Sequence, residues 1–198
     1  MILPDLKQLE AIVKPAAHEI LVPGFGKIEF THKADGSIIT AADRAMQSHL
    51  VTELQKTWPD YAILGEEMTE EEQRAAMTNS AGYWCIDPLD GTNNYATGMP
   101  FFAVSIALIV NKQQVLGFIY DPLREEVFTA IKGEGAALNG NLLKCMPNKT
   151  EVDSVIAEID LKRLPKDLSI LLVNEVPLSS QRIICSSALD CCWLAACR

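Results

Sequence analysis

Asp87-Pro88-Leu89-Asp90-Gly91-Thr92-Asn93-Asn94-Tyr95 follows directly on the apolar run Tyr83 to Ile86. That placement predicts a loop at the end of a buried strand, carrying two carboxylates three positions apart. Pro88 fixes one backbone angle and removes a donor, so Asp87 and Asp90 can be turned toward one point instead of alternating across a strand. Two carboxylates at one point repel. A hard divalent cation relieves that repulsion, since Mg²⁺ takes oxygen ligands and keeps positions for water and phosphate. Gly91 permits close backbone approach to a ligand, the Gly91 and Thr92 amides can reach phosphate oxygens, and Thr92 adds a hydroxyl. Asp, Pro, Gly and Asn are also the ordinary turn residues, and composition by itself leaves a plain turn slightly ahead.

Working outward, Leu6, Leu9, Ile12, Val13, Ala16, Ala17 and Ile20 fall at helical spacing until Pro23-Gly24. Residues 33–37 read as a turn, and Thr40 as the N-cap of a second helix running to about Trp58. Tyr61 to Leu64 is a short buried strand ending in Gly65-Glu66-Glu67, and the acid-rich stretch to about Asn79 is a solvated helix. Three apolar runs, Phe101 to Val110, Gln114 to Tyr120 and Glu126 to Ile131, predict an antiparallel meander. Gly133, Gly135 and Gly140 mark a tight loop. Ser154 to Ile159, Leu168 to Val173 and Arg182 to Cys185 read as further strands, and Ser187 to Ala196 as a helix. Meander and crossover connections together indicate a layered α/β sandwich, with residues 1–198 as one domain.

The chain has 198 residues, 48% of them apolar, enough for a substantial core. Its formal charge of -9 and lack of any basic block exclude a nucleic-acid backbone as direct partner. An anionic substrate must then be met by a bound cation. The segment Met1-Ile2-Leu3-Pro4-Asp5 has no basic region, and the longest apolar stretch is half a bilayer span, so the expectation is a soluble cytoplasmic protein without membrane contact. The six cysteines form no CxxC pair and are expected to be reduced and packed as small apolar residues.

The order of the string from Asp87 to Tyr95 resembles the DPxDGTxN signature of the inositol monophosphatase family, and this resemblance overturns the plain-turn reading. Ile63 to Glu67 looks like that family's strand-to-GEE segment, and Thr40-Ala41-Ala42-Asp43 like its helix start. Pro100 to Ser105, Gly133 to Ala136, Asn139-Gly140 and Ser187 to Asp190 are similar to successive later landmarks, covering about Asp5 to Arg198. The resemblance implies an α/β/α/β sandwich of the sugar-phosphatase type and a homodimer. It implies one Mg²⁺ on Glu66, Asp87 and the Leu89 carbonyl, a second on Asp87 and Asp90, and two or three ions per site in the family. Thr92 and Asp43 would orient the attacking water beside Glu66, and no covalent phosphoenzyme forms. Without the resemblance, Asp43 is an acid favouring the helix dipole and Glu66 part of a solvated patch.

Leu89, Asp90, Gly91, Thr92, Ser186 and Ser187 are the expected substrate contacts, Ser186 and Ser187 reading equally well as a strand end and helix cap. Family members continue past the point matching Arg198 to a Trp-Asp segment whose Asp completes the second metal site. The expectation is thus a C-terminally incomplete fold, either a fragment or a chain whose apolar Trp193 to Cys197 surface is covered by a partner. Cys185 stands where the family tends to place Gly, which narrows that wall. The expected activity is Mg²⁺-dependent hydrolysis of inositol monophosphate or a related small sugar phosphate. The alternatives are a 3′-phosphoadenosine-type bisphosphate nucleotidase, a histidinol-phosphate or fructose-bisphosphate phosphatase, and a non-catalytic regulatory binding protein.

Overall fold

The computed structural model describes residues 3–27, 30–32, 38–66, 68–144, 151, 155–176 and 178–198. The expected turn at 33–37, Glu67, Cys145 and the start of the strand expected from Ser154 lie outside the described residues.

Helix α1 (Leu6–Ala16) starts at Asp5, whose carboxylate accepts from the Lys7 amide, and buries Leu9, Val13 and Ala16. It runs into a π turn over Ala17–Leu21, where the Leu21 carbonyl accepts the buried Tyr95 hydroxyl at 2.7 Å. A hairpin of β1 (Phe30–His32) and β2 (Ile38–Thr40) leads to α2 (Ala41–Thr57), which buries Ala42, Met46, Leu50 and Leu54 along one face. Strand β3 (Ala62–Gly65) pairs parallel with β4 (Tyr83–Asp90) through the crossover helix α3 (Glu70–Met77). After α4 (Thr92–Thr97), β5 (Ala103–Val110), β6 (Gln113–Asp121) and β7 (Glu126–Ile131) form the expected meander. The glycine-marked loop proves to be two turns flanking β8 (Gly135–Leu138), which pairs with β9 (Asn141–Leu142) and completes a seven-stranded sheet ordered β3-β4-β5-β6-β7-β8-β9.

Alternation assigns the two faces of that sheet. Trp84, Ile86, Val104, Ile106, Leu108, Leu116, Phe118 and Tyr120 are buried in one core with α1 and α2. Ser105, Ala107, Gly117 and Ile119 face the other way, where they share a groove with the last helix, α6 (Ser187–Ala195). Trp193 of α6 packs edge-on to Phe101, with the Arg124 guanidinium over its ring at 5.1 Å. Arg198 closes this end with two bonds to Glu126 at 2.7 and 2.8 Å.

Three expectations are corrected. Leu168 to Val173 is helix, not strand: α5 (Lys166–Asn174) begins after Pro165, with Ser169 Oγ donating back to the Leu161 carbonyl at 2.8 Å. The reason lies in its neighbours, β10 (Ile156–Glu158) and β11 (Ser180–Arg182), which pair parallel and need a crossover, for which a helix is the usual solution. The strand expected at Arg182 to Cys185 accordingly ends at Arg182, and Cys185 takes φ +61°. The cysteines do not behave as core residues either: among those described only Cys192 is buried, while Cys85, Cys185, Cys191 and Cys197 are exposed. No helix among the described residues is long and apolar enough to cross a membrane.

Candidate active site

The decisive string is not a loop at its start. Strand β4 continues through Pro88 to Asp90, and its register against β5 slips, Asp87 opposing Ser105 and Asp90 opposing Ala103. Three steps on one strand against two on the other are one inserted residue. In a regular strand, positions three apart face opposite sides; one inserted residue returns them to the same side. Pro88 suits such a bulge because it has no N–H to lose from the ladder. The two carboxylates do feel each other. Burial chiefly, then the charge of Asp90, raise the Asp87 carboxyl to about 7; Glu66 and Asp43 push the same way, and the Leu89 amide bonded to it at 3.1 Å opposes them.

Gly91 then reverses the chain at φ +86°, with the Phe101 carbonyl 2.8 Å from where a Cβ would sit. This close approach delivers Thr92 to the start of α4. Thr92 Oγ1 lies 2.9 Å from the Leu89 carbonyl and 3.1 Å from Asp43 Oδ1, so its single proton faces two acceptors. Asp43 is shared in turn. Its Oδ2 accepts from the Thr40 amide at 2.8 Å and the Thr40 hydroxyl at 2.6 Å in a capping box at the start of α2. The helix-start role and the pairing with Thr92 therefore coexist, one oxygen each.

A cleft of 470 Å³ opens beside this turn, lined by Glu66, Asp90, Gly91, Thr92, Asn93 and, opposite, Glu158, Asp160, Arg163, Ile183, Cys185, Ser187 and Asp190. Glu66 also lines an adjoining depression of 360 Å³ together with Asp87 and Cys85. Glu66 thus stands where the two hollows meet. Among the described residues no three acidic, histidine or cysteine side chains form a ready metal cage.

The two serines separate. Ser187 lines the cleft, whereas Ser186 does not; it is completely buried and its hydroxyl donates to Asp90 Oδ2. Of the far wall, the sequence pointed to Ser187 and Cys185 but not to Glu158, Asp160 or Arg163. Glu158 and Asp160 come from the end of β10 and the residues after it, and Asp190 from the first turn of α6. Burial, then Glu158 and Asp90, raise the Asp190 carboxyl to about 6. Arg163 is already in an ion pair with Asp160 at 3.2 Å. Nothing in the local sequence signals Glu158, Asp160 or Arg163, because their position depends on how β10, β11 and α6 fold back over α4; Asp190 falls in the Ser187 to Asp190 landmark, where it had no assigned role. Asn94 fastens that return, donating to the Ile184 carbonyl at 2.7 Å and to the Phe101 carbonyl at 2.8 Å.

Known proteins share this arrangement of the chain. The Nus factor SuhB of Haemophilus influenzae is 35% identical over 174 residues, 85% of this chain and 63% of that protein. Inositol monophosphatase 1 of Sus scrofa is 32% identical over 165 residues, 80% of this chain and 59% of that protein. The crystal structure of the extragenic suppressor protein suhB from Bartonella henselae, 31% identical, superposes with a TM-score of 0.82 over 96% of this chain and 74% of that one. The chain spans less than two thirds of the length of the first two relatives. The model of the inositol monophosphatase family matches residues 4–198, taking in the bulged Asp87–Asp90 strand end, the Thr92–Asp43 pair and α6 alike. On that match, this chain belongs to the inositol monophosphatase family.

Proposed function

We propose that this chain carries the centre of a metal-dependent phosphomonoesterase acting on inositol monophosphate or a related small sugar phosphate. The observation that carries the reading is the Thr92 hydroxyl set between Asp43 and the Leu89 carbonyl at the edge of the acidic cleft. A hydroxyl shared with a carboxylate is suited to hold a water and pass its proton to Asp43.

The cleft as it stands repels a phosphate, since Glu66, Asp90, Glu158, Asp160 and Asp190 face a single Arg163 already paired. Its donors fit a hard cation: the carboxylates of Glu66, Asp87 and Asp90 and the Leu89 carbonyl are all oxygens. Burial first, and then the neighbouring Asp90 charge, hold the Asp87 carboxyl up at about 7, and a bound cation would offset both. These four groups would hold Mg²⁺, with waters and phosphate oxygens filling the rest of its shell, because the described residues offer no closed cage. Bound there, the ion would polarise the phosphate and lower the pKa of a water. The chain's own part is to orient: Gly91 and Thr92 offer amides to the phosphate oxygens, Thr92 and Asp43 hold the water, and Ser187 contacts the substrate's hydroxyls.

Phosphate released from inositol 1-phosphate with and without Mg²⁺ tests the reading. Asp90→Asn should lower the rate by about two orders of magnitude or more; undiminished turnover refutes the assignment. A second reading, a regulatory binding protein keeping a partial metal site, is favoured by the 35% identity to a protein named as a Nus factor. It predicts Mg²⁺ uptake without phosphate release. Homodimerisation is part of the proposal, on the strength of the family resemblance.

A further inference from the structure

Asp90 is held from an unexpected direction. Its Oδ2 accepts the Ser186 hydroxyl and the Ala188 amide, the latter at 3.0 Å, across 98 positions of sequence. Ser186 is the N-cap of α6, yet its side chain makes no bond to its own helix. The carboxylate of Asp90 does the capping in its place, satisfying one of the orphan donors of the first turn. Ser186 is 0% exposed and packs on the Gly91 turn, its Cβ 3.3 Å from where a Gly91 side chain would begin. The preceding Cys185 lies in the left-handed region at φ +61°, where the chain turns into α6.

We propose that Ser186 is a positioning residue: with the α6 N-terminus it latches one oxygen of Asp90, fixing the carboxylate so that its other oxygen serves the cleft. The inference rests on the metal-dependent reading above and extends it to a residue that touches neither ion nor substrate. A carboxylate free to rotate presents either oxygen and loses rotamer freedom on binding an ion. A latched one has already lost it. The latch also joins two parts distant in sequence, so α6, and with it Ser187 on the cleft wall, is set by the same carboxylate that lines the phosphate side.

The test uses Mn²⁺ as probe, followed by electron paramagnetic resonance, together with amide hydrogen exchange, on the wild-type chain, Ser186→Ala, Ser186→Thr and Leu54→Ala. Leu54 is fully buried in α2, lines neither hollow and makes none of the bonds of the latch, so its truncation destabilises the fold while leaving Ser186, Ala188 and Asp90 unaltered. Ser186→Ala should weaken Mn²⁺ binding about tenfold and speed exchange at the Ala188 amide by a similar factor, the share of one charge-assisted hydrogen bond. Ser186→Thr keeps the hydroxyl and should bind within about twofold of wild type, and Leu54→Ala should bind as wild type does. Equal affinity in Ser186→Ala and wild type overturns the positioning role while leaving the metal site intact. So does equal weakening in Ser186→Ala and Leu54→Ala. A wild-type chain that takes up no Mn²⁺ overturns the metal-dependent function and this role with it.

Discussion

Asp43 offers a separation of helix stability from chemistry, because its two oxygens do different work. Oδ2 completes the capping box with Thr40, and Oδ1 meets the Thr92 hydroxyl at 3.1 Å. Thr40→Ala removes the hydroxyl that accepts from the Ala42 and Asp43 amides and donates to Asp43 Oδ2, but it keeps the Thr40 amide on Oδ2 and leaves Oδ1 facing Thr92. Loss of such a cap costs about 1 kcal/mol. Asp43→Asn loses a favourable charge at the α2 N-terminus, about 0.3–1 kcal/mol, and weakens the bond to the Thr40 amide by replacing a carboxylate oxygen with an amide oxygen. If that oxygen stays on Thr40, the Asn amide group faces Thr92, so Thr92 can no longer pass a proton across. The two variants should therefore unfold in urea with losses that agree within about 1 kcal/mol. Their phosphate release should differ by about two orders of magnitude, the usual share of a positioned acid or base, equivalent to about 2.7 kcal/mol of barrier. Urea unfolding and phosphate release measured on both proteins, each compared with wild type, check this. If Asp43→Asn turns over as fast as Thr40→Ala, Asp43 is a helix cap only and the Thr92 pair has no catalytic meaning.

Two other outcomes follow from the geometry. The Asp87 carboxyl, raised from 3.8 to about 7 by burial and by Asp90, binds its proton more tightly in the folded chain than in the unfolded one. Its contribution to stability is present below the unfolded value and is lost as pH rises through about 7. The urea midpoint of the metal-free chain should fall across that window, and Asp87→Asn should remove this part of the slope; a slope equal to wild type refutes the assignment. Gly91→Ala and Gly133→Ala place a Cβ at nearly the same positive φ, +86° and +85°, but only Gly91 has a carbonyl at 2.8 Å. Gly133→Ala should cost about 1 kcal/mol from backbone conformation alone, and Gly91→Ala clearly more in the same urea assay. Equal losses would show that the Phe101 carbonyl moves freely and that the Gly91 turn is not tightly held.

Much of the frame was legible in the chain. The apolar spacing from Leu6 to Ile20 and the Thr40 cap predicted α1 and α2, and the runs from Phe101 to Ile131 predicted the meander, because these signals act within a few residues. The string from Asp87 to Tyr95 pointed to the family that the comparison then showed. What went astray had non-local causes. Leu168 to Val173 has an apolar run that suits either state, and the parallel pairing of β10 with β11 decided for helix. Asp87 to Asp90 was expected as a loop, since Pro88 usually ends a strand; pairing with β5 carried the strand past it with a bulge. The cysteines were expected inside, but exposure depends on which sheet face is covered, and α6 covers only part of one.

The division between sequence and tertiary structure follows the range of the forces. Caps, turns and amphipathic faces are set by neighbours along the chain, so the donor types of the site, its Gly91 turn and its helix start could be read from residue order alone. The meeting of Thr92 with Asp43 across 49 positions was implied only by the family resemblance, and that of Ser186 with Asp90 across 96 was not foreseen at all. Those contacts exist because strand register and the return of β11 and α6 over α4 bring the groups together. They also divide the work within each group: one oxygen of Asp43 to the helix and one to the hydroxyl, Ser186 to the interior and Ser187 to the cleft. A hydrogen bond has the range of a few ångströms, and only the packed fold determines which atoms come within it.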